Sequence, residues 1–121
     1  MPYWVLSGTP ENWRIGLEKK IWGMNEKARG WWERIQPGDI VLFYATGNTG
    51  FLGEGIVLEK FIDETPLWPE EKEGKTSFKY RLKLKVEKLF DRPIKKPKWL
   101  RRIAFSANPI SEDEYKKLVG K

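Results

Sequence analysis

The sequence predicts an α+β domain in which short helices surround a small curled β-sheet. Its 121 residues are enough for one domain, which we assign to residues 1–121. Apolar runs and alternating patterns predict four or five strands, with three or so helical segments between them. The strands and helices do not follow the β–α–β order of a parallel doubly wound sheet, and this favours the α+β class.

Several segments have the pattern of strands. An almost continuous apolar run at 40–45 is typical of a strand buried on both faces. The segment 77–90 alternates apolar and basic residues over most of its length, and Gly53 and Gly55 predict a bulge in the strand before it. The strands are therefore predicted at 3–7, 40–45, 51–60 and 77–90, with a brief extended piece at 21–23.

Two of the predicted helices have capping residues. Thr9 followed by a proline is a favourable helix start. Ser111 and Glu114 form a capping box at the start of the last helix, which we expect to stop at Gly120. The helices are therefore predicted at 10–20, 28–35 and from 112 onward, with a helical turn at 98–103 and an irregular acidic loop at 63–77.

The chain has neither cysteine nor histidine. This excludes disulfides, thiolate metal sites, thiol nucleophiles and every catalytic triad that contains histidine. We therefore expect no enzymatic activity, no metal and no cofactor. The open alternative is an enzyme that uses carboxylates and a metal on nucleic acid. Its one plausible cluster is the acidic loop with Asp63, Glu70, Glu71 and Glu73.

Charge and aromatic content point toward an anionic partner that stacks. The net charge is +6, and there are seven tryptophans. Residues 1–74 contain 8 Lys or Arg and 12 Asp or Glu, whereas residues 75–121 contain 15 and 5. Such asymmetry predicts a basic face and favours nucleic acid as the partner. A basic soluble domain with a tryptophan-rich core fits the composition equally well.

The alternating strand supplies a candidate contact surface for phosphates. Its basic side chains would point to one face of the sheet and neutralise a nucleic acid backbone. The alternative is an ordinary solvated face, where lysine prevents aggregation. The residues of this predicted basic face are Lys79, Arg81, Lys83 and Lys85.

Two tryptophans lie outside any amphipathic pattern. Trp22 and Trp68 are both in short irregular stretches of the predicted structure. A tryptophan in a polar loop needs something to pack against. Two such residues can form the walls of a binding slot, and packing into the core is the alternative.

The order of several short motifs resembles that of the EVE domain family, which belongs to the PUA-like superfamily and is related to YTH domains. The resemblance covers roughly residues 3–90. It implies a PUA-like curled mixed β-barrel flanked by short helices. The motifs that carry it are Tyr3-Trp4-Val5-Leu6, the segment from Trp22-Gly23 to Arg29, the segment from Gly38-Asp39 to Tyr44, and residues 50–57.

The resemblance also implies a function and a set of site residues. YTH domains bind 6-methyladenine in RNA in an aromatic cage, and EVE domains are thought to bind modified bases. The implied function is therefore a non-enzymatic module that binds a modified base, flipped out of RNA or DNA. A module that binds a small molecule in the same pocket is another alternative. The implied pocket residues are Trp22, Trp68, Asn12, Asn25 and Thr46.

The sequence departs from these families at two places. Ser7 stands where both families have a lysine after the first strand. The third wall of a YTH cage falls near Glu73 or Gly74, neither of which is apolar.

The first residues do not resemble a signal peptide, and no window approaches the ~20 apolar residues of a membrane span. We expect a cytoplasmic, soluble monomer that does not bind a membrane. Abundant Lys and Glu, with one Gln, is typical of a thermophile.

Overall fold

The strands form one continuous sheet. The computed structural model describes residues 2–104 and 106–121. The strands in these residues are β1 (Tyr3–Gly8), β2 (Ile21–Met24), β3 (Ile40–Ala45), β4 (Gly50–Ile62), β5 (Tyr80–Ile94) and β6 (Ser106–Ile110). The helices are α1 (Pro10–Lys19), α2 (Arg29–Arg34), α3 (Pro69–Lys72) and α4 (Glu112–Val119), and a 3-10 turn at Glu26–Ala28 precedes α2.

The sheet is mixed and curled into a half-barrel. Its order is β2-β5-β4-β3-β1-β6. β1 pairs with β3 in parallel, and the other pairs are antiparallel. Although three strands separate β2 from β1 in the sheet, Trp22 of β2 lies directly against Gly8 of β1. The sheet therefore curls back on itself, which confirms the predicted α+β class with a small curled mixed sheet.

A bulged strand accommodates part of this curvature. The register between β4 and β5 shifts just before Gly53, just before Gly55, and again between Val57 and Glu59. A Cβ atom on Gly55 would overlap the carbonyl of Lys85 and lie 2.9 Å from the ring of Phe43. The predicted bulge is confirmed, and the glycines are required because the two strands approach closely there.

The apolar core lies on both faces of the sheet. Successive residues of a strand point to opposite faces, so Val5 and Leu6 belong to different clusters. The cluster inside the half-barrel contains most of the buried tryptophan. The cluster beneath α4 contains Val5, Leu42, Phe51, Leu100, Tyr115 and Leu118.

The capped helices form as predicted. Thr9 Oγ1 accepts a hydrogen bond from the backbone N–H of Asn12 at 3.1 Å. The capping box of Ser111 and Glu114 is present, and Gly120 ends α4 with a φ of 77°. None of the helices in the described residues is long and apolar enough to cross a membrane.

The region after residue 62 differs from the prediction. β5 continues through Pro93, because β2 pairs only with residues 80–83 and leaves that edge of β5 free for a proline. The predicted helical turn at 98–103 is wrong: a turn occupies residues 98–100, and the unpredicted strand β6 follows. The predicted irregular loop contains α3.

The prediction that Arg81 belongs to an exposed basic face is wrong, because Arg81 is 1% exposed. Its Nη2 lies 3.3 Å from Glu71 Oε1, its Nη1 lies 3.5 Å from Asp63 Oδ2, and its Nε donates to the carbonyl of Phe78 at 3.0 Å. Hydrogen bonds from Thr65, and then the charge of Arg81, lower the pKa of Asp63. The alternation of residues along a strand does not show that a cationic side chain turns inward to pair with a carboxylate from another part of the chain.

Glu71 organises the loop that leads into β5. Its carboxylate accepts the backbone N–H of Leu67 at 2.9 Å, of Trp68 at 3.4 Å and of Phe78 at 2.7 Å. The side chain is itself 2% exposed. One buried ion pair therefore joins α3, the approach to β5 and β5 itself.

We predict that Glu71→Gln lowers the free energy of unfolding by about 3–5 kcal/mol, because it leaves the buried charge of Arg81 without its main partner. Urea unfolding measures this. Glu73→Gln, on the exposed end of the same loop, is the matched control and should change stability by less than about 0.5 kcal/mol. Equal stability of both variants would contradict the assigned role of Glu71.

Candidate functional site

A small cavity lies where the edges of the half-barrel come together. We call it the seam cavity. It lies between β2 on one side and the ends of β1 and β6 on the other. Its volume is about 10 Å³, about the space that one water molecule needs. The residues that line it are Ser7, Gly8, Asn12, Trp22, Gly23, Trp68, Phe78 and Ser106.

Local structure positions three side chains at this cavity. The Thr9 cap places Asn12 in the first turn of α1. β2 carries Trp22 opposite Leu82 of β5. Trp68 precedes α3, and its indole N–H donates to the backbone carbonyl of Asn12 at 3.0 Å. The seam cavity thus brings together Asn12, Trp22 and Trp68 of the residues named from the sequence.

The two tryptophans belong to the core as well as to the cavity. Trp22 is 5% exposed and Trp68 is 1% exposed. Trp22 stacks on Trp13 at 3.7 Å between ring centroids, with 6° between the planes. It meets Trp68 edge-on, at 5.8 Å and 75°. The expected pair of facing walls in irregular segments is therefore absent from the described structure, and the rings close the seam against each other.

Several polar groups of the lining residues have no hydrogen-bond partner among the described residues, and the buried hydroxyl of Ser7 is one of them. Asn12 Nδ2 donates to Glu70 Oε2 at 2.9 Å. Because a carboxylate only accepts, this bond fixes the amide nitrogen toward Glu70 and leaves the amide oxygen as a free acceptor. The indole N–H of Trp22 is buried and has no hydrogen-bond partner among the described residues. Buried polar atoms normally have partners, so this donor is an unsatisfied group of a residue that lines the cavity.

The other two residues implied for the pocket lie elsewhere. Asn25 precedes the 3-10 turn and borders shallow hollows outside the seam cavity, together with Lys27. Thr46 follows β3, and its backbone N–H donates to the carbonyl of Gly8 at 2.9 Å. Neither belongs to the lining of the seam cavity.

Five residues of the cavity lining were not predicted from the sequence: Ser7, Gly8, Gly23, Phe78 and Ser106. Ser7 departs from the family pattern, and its place near the end of the first strand was the available signal. Phe78 precedes β5, and Ser106 begins the strand that the sequence did not predict. Ser106 has a φ of 86°, an unusual value for a residue other than glycine.

The predicted basic face is partly neutralised. Lys79 pairs with Glu26 at 3.9 Å, and Lys85 pairs with Glu87 at 3.5 Å. Lys83 is exposed and forms no ion pair with the described residues. With Arg81 buried, Lys83 is the member of this set best placed to meet a phosphate.

The carboxylates of the acidic loop do not form a metal site. Within residues 2–104 and 106–121, no group of three or more Asp or Glu side chains is close enough to hold an ion. Glu71 is committed to Arg81, and Glu73 lies 3.3 Å from Lys75 at the surface.

Comparisons with known proteins agree with this fold. The sequence model of the family described as EVE domain matches residues 2–120. UPF0310 protein PH1033 of Pyrococcus horikoshii is 24% identical over 99 residues, which cover 74% of this chain and 68% of that protein.

Two solved structures with bound nucleic acid share the fold. One is human THYN1 in complex with DNA containing 5-methylcytosine, with a TM-score of 0.68 and 13% identity; the alignment covers 99% of this chain and 96% of THYN1. The other is the complex of the YTH domain-containing protein mmi1 with RNA, with a TM-score of 0.71 and 13% identity; it covers 98% of this chain and 79% of mmi1. The fold is therefore that of the PUA-like and YTH-like domains.

We predict that Gly8→Ala destabilises the protein by about 1–3 kcal/mol, because its Cβ would overlap the six-membered ring of Trp22. Thermal or urea unfolding measures this. Gly30→Ala in α2 is the control. No atom lies within 4 Å of the position that the new Cβ would take, and the substitution should stabilise the helix by about 0.4–1 kcal/mol. If Gly8→Ala left the stability of the protein unchanged, Trp22 would not lie against β1.

Proposed function

This chain belongs to the EVE domain family, and from that premise we propose that it is a non-enzymatic module that binds a modified base, flipped out of a nucleic acid strand, at the seam cavity. The observation that carries the proposal is the combination of aromatic and polar groups there. Trp22 and Trp68 supply apolar ring surface, Trp22 also offers an unused N–H donor, and Asn12 offers an acceptor fixed by Glu70. Base edges present donors beside acceptors, and a side-chain amide can pair with such an edge.

The structural neighbours support the same class of ligand. THYN1 binds DNA containing 5-methylcytosine, and mmi1 binds RNA. We extend nucleic acid binding to this chain because it has the same fold and a net charge of +6. The modified base is the more specific part of the proposal.

The cavity must open before a base can enter, since its volume of about 10 Å³ admits little more than a water molecule. The simplest opening moves the Trp22 ring away from Gly8 and Trp13. The stacked pair contributes about 0.5–1.5 kcal/mol beyond its buried area. A base that stacks on an aromatic ring returns about 1–3 kcal/mol. Stacking on a base therefore offsets the lost stacking of the two rings, provided that the base also covers the Trp22 surface that the opening exposes.

Discrimination between bases then depends on their edges and methyl groups. A buried methyl group contributes about 0.8 kcal/mol, or about fourfold in affinity. An amide held in one orientation rejects a base that presents an acceptor at that point, because two facing acceptors are both left unpaired. Glu70 is therefore the proposed orienting residue for Asn12.

We predict that single strands containing one 5-methylcytosine or one N6-methyladenine bind at least about fourfold more tightly than the matching unmodified strand, in DNA or in RNA. Fluorescence anisotropy with labelled seven-nucleotide strands measures this. Asn12→Ala should remove the preference, since without this acceptor the base is no longer held in the cavity and its methyl group is no longer buried. Asn25→Ala, outside the seam cavity, is the comparison and should retain the preference.

Equal affinity for all modified and unmodified strands would contradict modified-base binding. A preference that Asn25→Ala removes and Asn12→Ala leaves intact would place the base outside the seam cavity.

We also predict no cleavage of modified or unmodified strands with magnesium or manganese, because oxygen ligands for such ions need carboxylates that converge. Gel analysis of labelled strands measures this. Metal-dependent cleavage that is lost in Glu73→Gln would support the carboxylate enzyme instead.

A further inference from the structure

A second, larger hollow lies beside α2. We call it the Trp31 hollow. Trp31 and the segment 100–103 form much of its lining, with Pro109 and Ile110 of β6. Its volume is about 210 Å³, far larger than that of the seam cavity. Leu100, Ile103 and the Trp31 ring make it apolar, whereas Arg101 and Arg102 are exposed at its rim.

The Trp31 hollow and the seam cavity are related through lining residues that each shares with a depression between them. Ser106 lines the seam cavity and also an adjoining depression that contains Asn25, Lys27 and Trp31. Trp31 in turn lines the Trp31 hollow. A strand that inserts one base at the seam can therefore follow this surface to Trp31.

The cations around Trp31 are free of carboxylate partners. In the described residues, no Asp or Glu oxygen lies within 4.0 Å of a charged nitrogen of these cations. Arg29 of α2, by contrast, pairs with two glutamates. The guanidinium of Arg34 lies 5.0 Å from the centroid of the Trp31 ring. The residues of this unpaired basic set are Lys27, Arg34, Arg101 and Arg102.

We propose that the Trp31 hollow is a subsite for a neighbouring nucleotide of the same strand, whose base stacks on Trp31 while Arg101 and Arg102 contact its phosphates. This rests on the proposed function, because it assumes a nucleic acid strand at the seam. A flat aromatic wall beside unpaired arginines matches a nucleotide, which is itself a flat ring attached to an anion. Stacking accepts every base, so this subsite adds affinity that does not depend on sequence or modification.

The test is a length series with wild-type protein and Trp31→Ala. The probes are 5-methyl-2′-deoxycytidine monophosphate and DNA strands of three, five and seven nucleotides, with and without one central 5-methylcytosine. Calorimetry measures each affinity. In the wild type, affinity should rise with length. In Trp31→Ala it should fall by about fivefold to a hundredfold for the longer strands, equally for modified and unmodified ones, and stay unchanged for the mononucleotide.

Two further variants separate stacking, charge and folding. Trp99→Ala is the matched control, since Trp99 is an exposed tryptophan with Lys117 at 4.7 Å from its ring centroid and lies outside the lining of the hollow; it should bind every probe like the wild type. The double variant Arg101→Gln/Arg102→Gln should flatten the salt dependence of binding by about 0.7 per lost phosphate contact. Both arginines are exposed, so this variant also tests the subsite if Trp31→Ala does not fold.

The outcomes distinguish the two proposals. Unchanged affinity of Trp31→Ala for all strands, or an unchanged salt slope in the double variant, overturns the subsite. An equal loss for the mononucleotide and the long strands also overturns it, because Trp31 would then act through its contact with Trp4. Binding of long strands that depends on Trp31 but not on the methyl group supports the subsite and overturns the modified-base proposal.

Discussion

The buried pair of Arg81 and Glu71 is the interaction on which the seam cavity depends. It places a charged residue of β5 inside the protein and satisfies it with a carboxylate from α3, which also binds the backbone at Leu67, Trp68 and Phe78. Trp68 lies under this arrangement, with the Arg81 guanidinium 5.5 Å from its ring centroid. A buried ion pair adds little net stability, but any arrangement that separates its two charges is strongly disfavoured. It therefore positions the wall of the cavity rather than strengthening the core.

The seam itself is closed by rings instead of hydrogen bonds. In the described residues, β2 and β6 are the two edges of the sheet, and the contact of Trp22 with Gly8 brings the curled sheet together. Aromatic rings pack on other flat surfaces in stacked or edge-on arrangements, so the proposed base could take the place of one ring. A strand pairing could not be exchanged in this way without loss of several backbone hydrogen bonds. The contact that completes the fold is thus also the contact that the proposed base would replace.

Local signals in the sequence predicted much of this fold. The apolar run at 40–45, the Thr9 cap and the capping box of Ser111 each depend on near neighbours, and each element formed where expected. The features that the sequence did not predict depend on partners elsewhere in the chain. β6 is defined by its pairing with β1, and the inward turn of Arg81 by a carboxylate ten residues away. Order along the chain also placed Asn12, Trp22 and Trp68 together, but it did not predict that Trp22 would stack on Trp13.

Ser106 lies at the seam cavity, where β6 begins. Its positive φ costs of order 1–3 kcal/mol for a residue other than glycine and persists only when the surroundings enforce it. Pairing with Ser7 of β1 provides that enforcement on one side. β6 runs from Ser106 at the seam cavity to Pro109 and Ile110 at the Trp31 hollow. Because β6 pairs with β1 along this whole length, the same pairing that holds Ser106 in its strained conformation also fixes the position of the hollow relative to the seam.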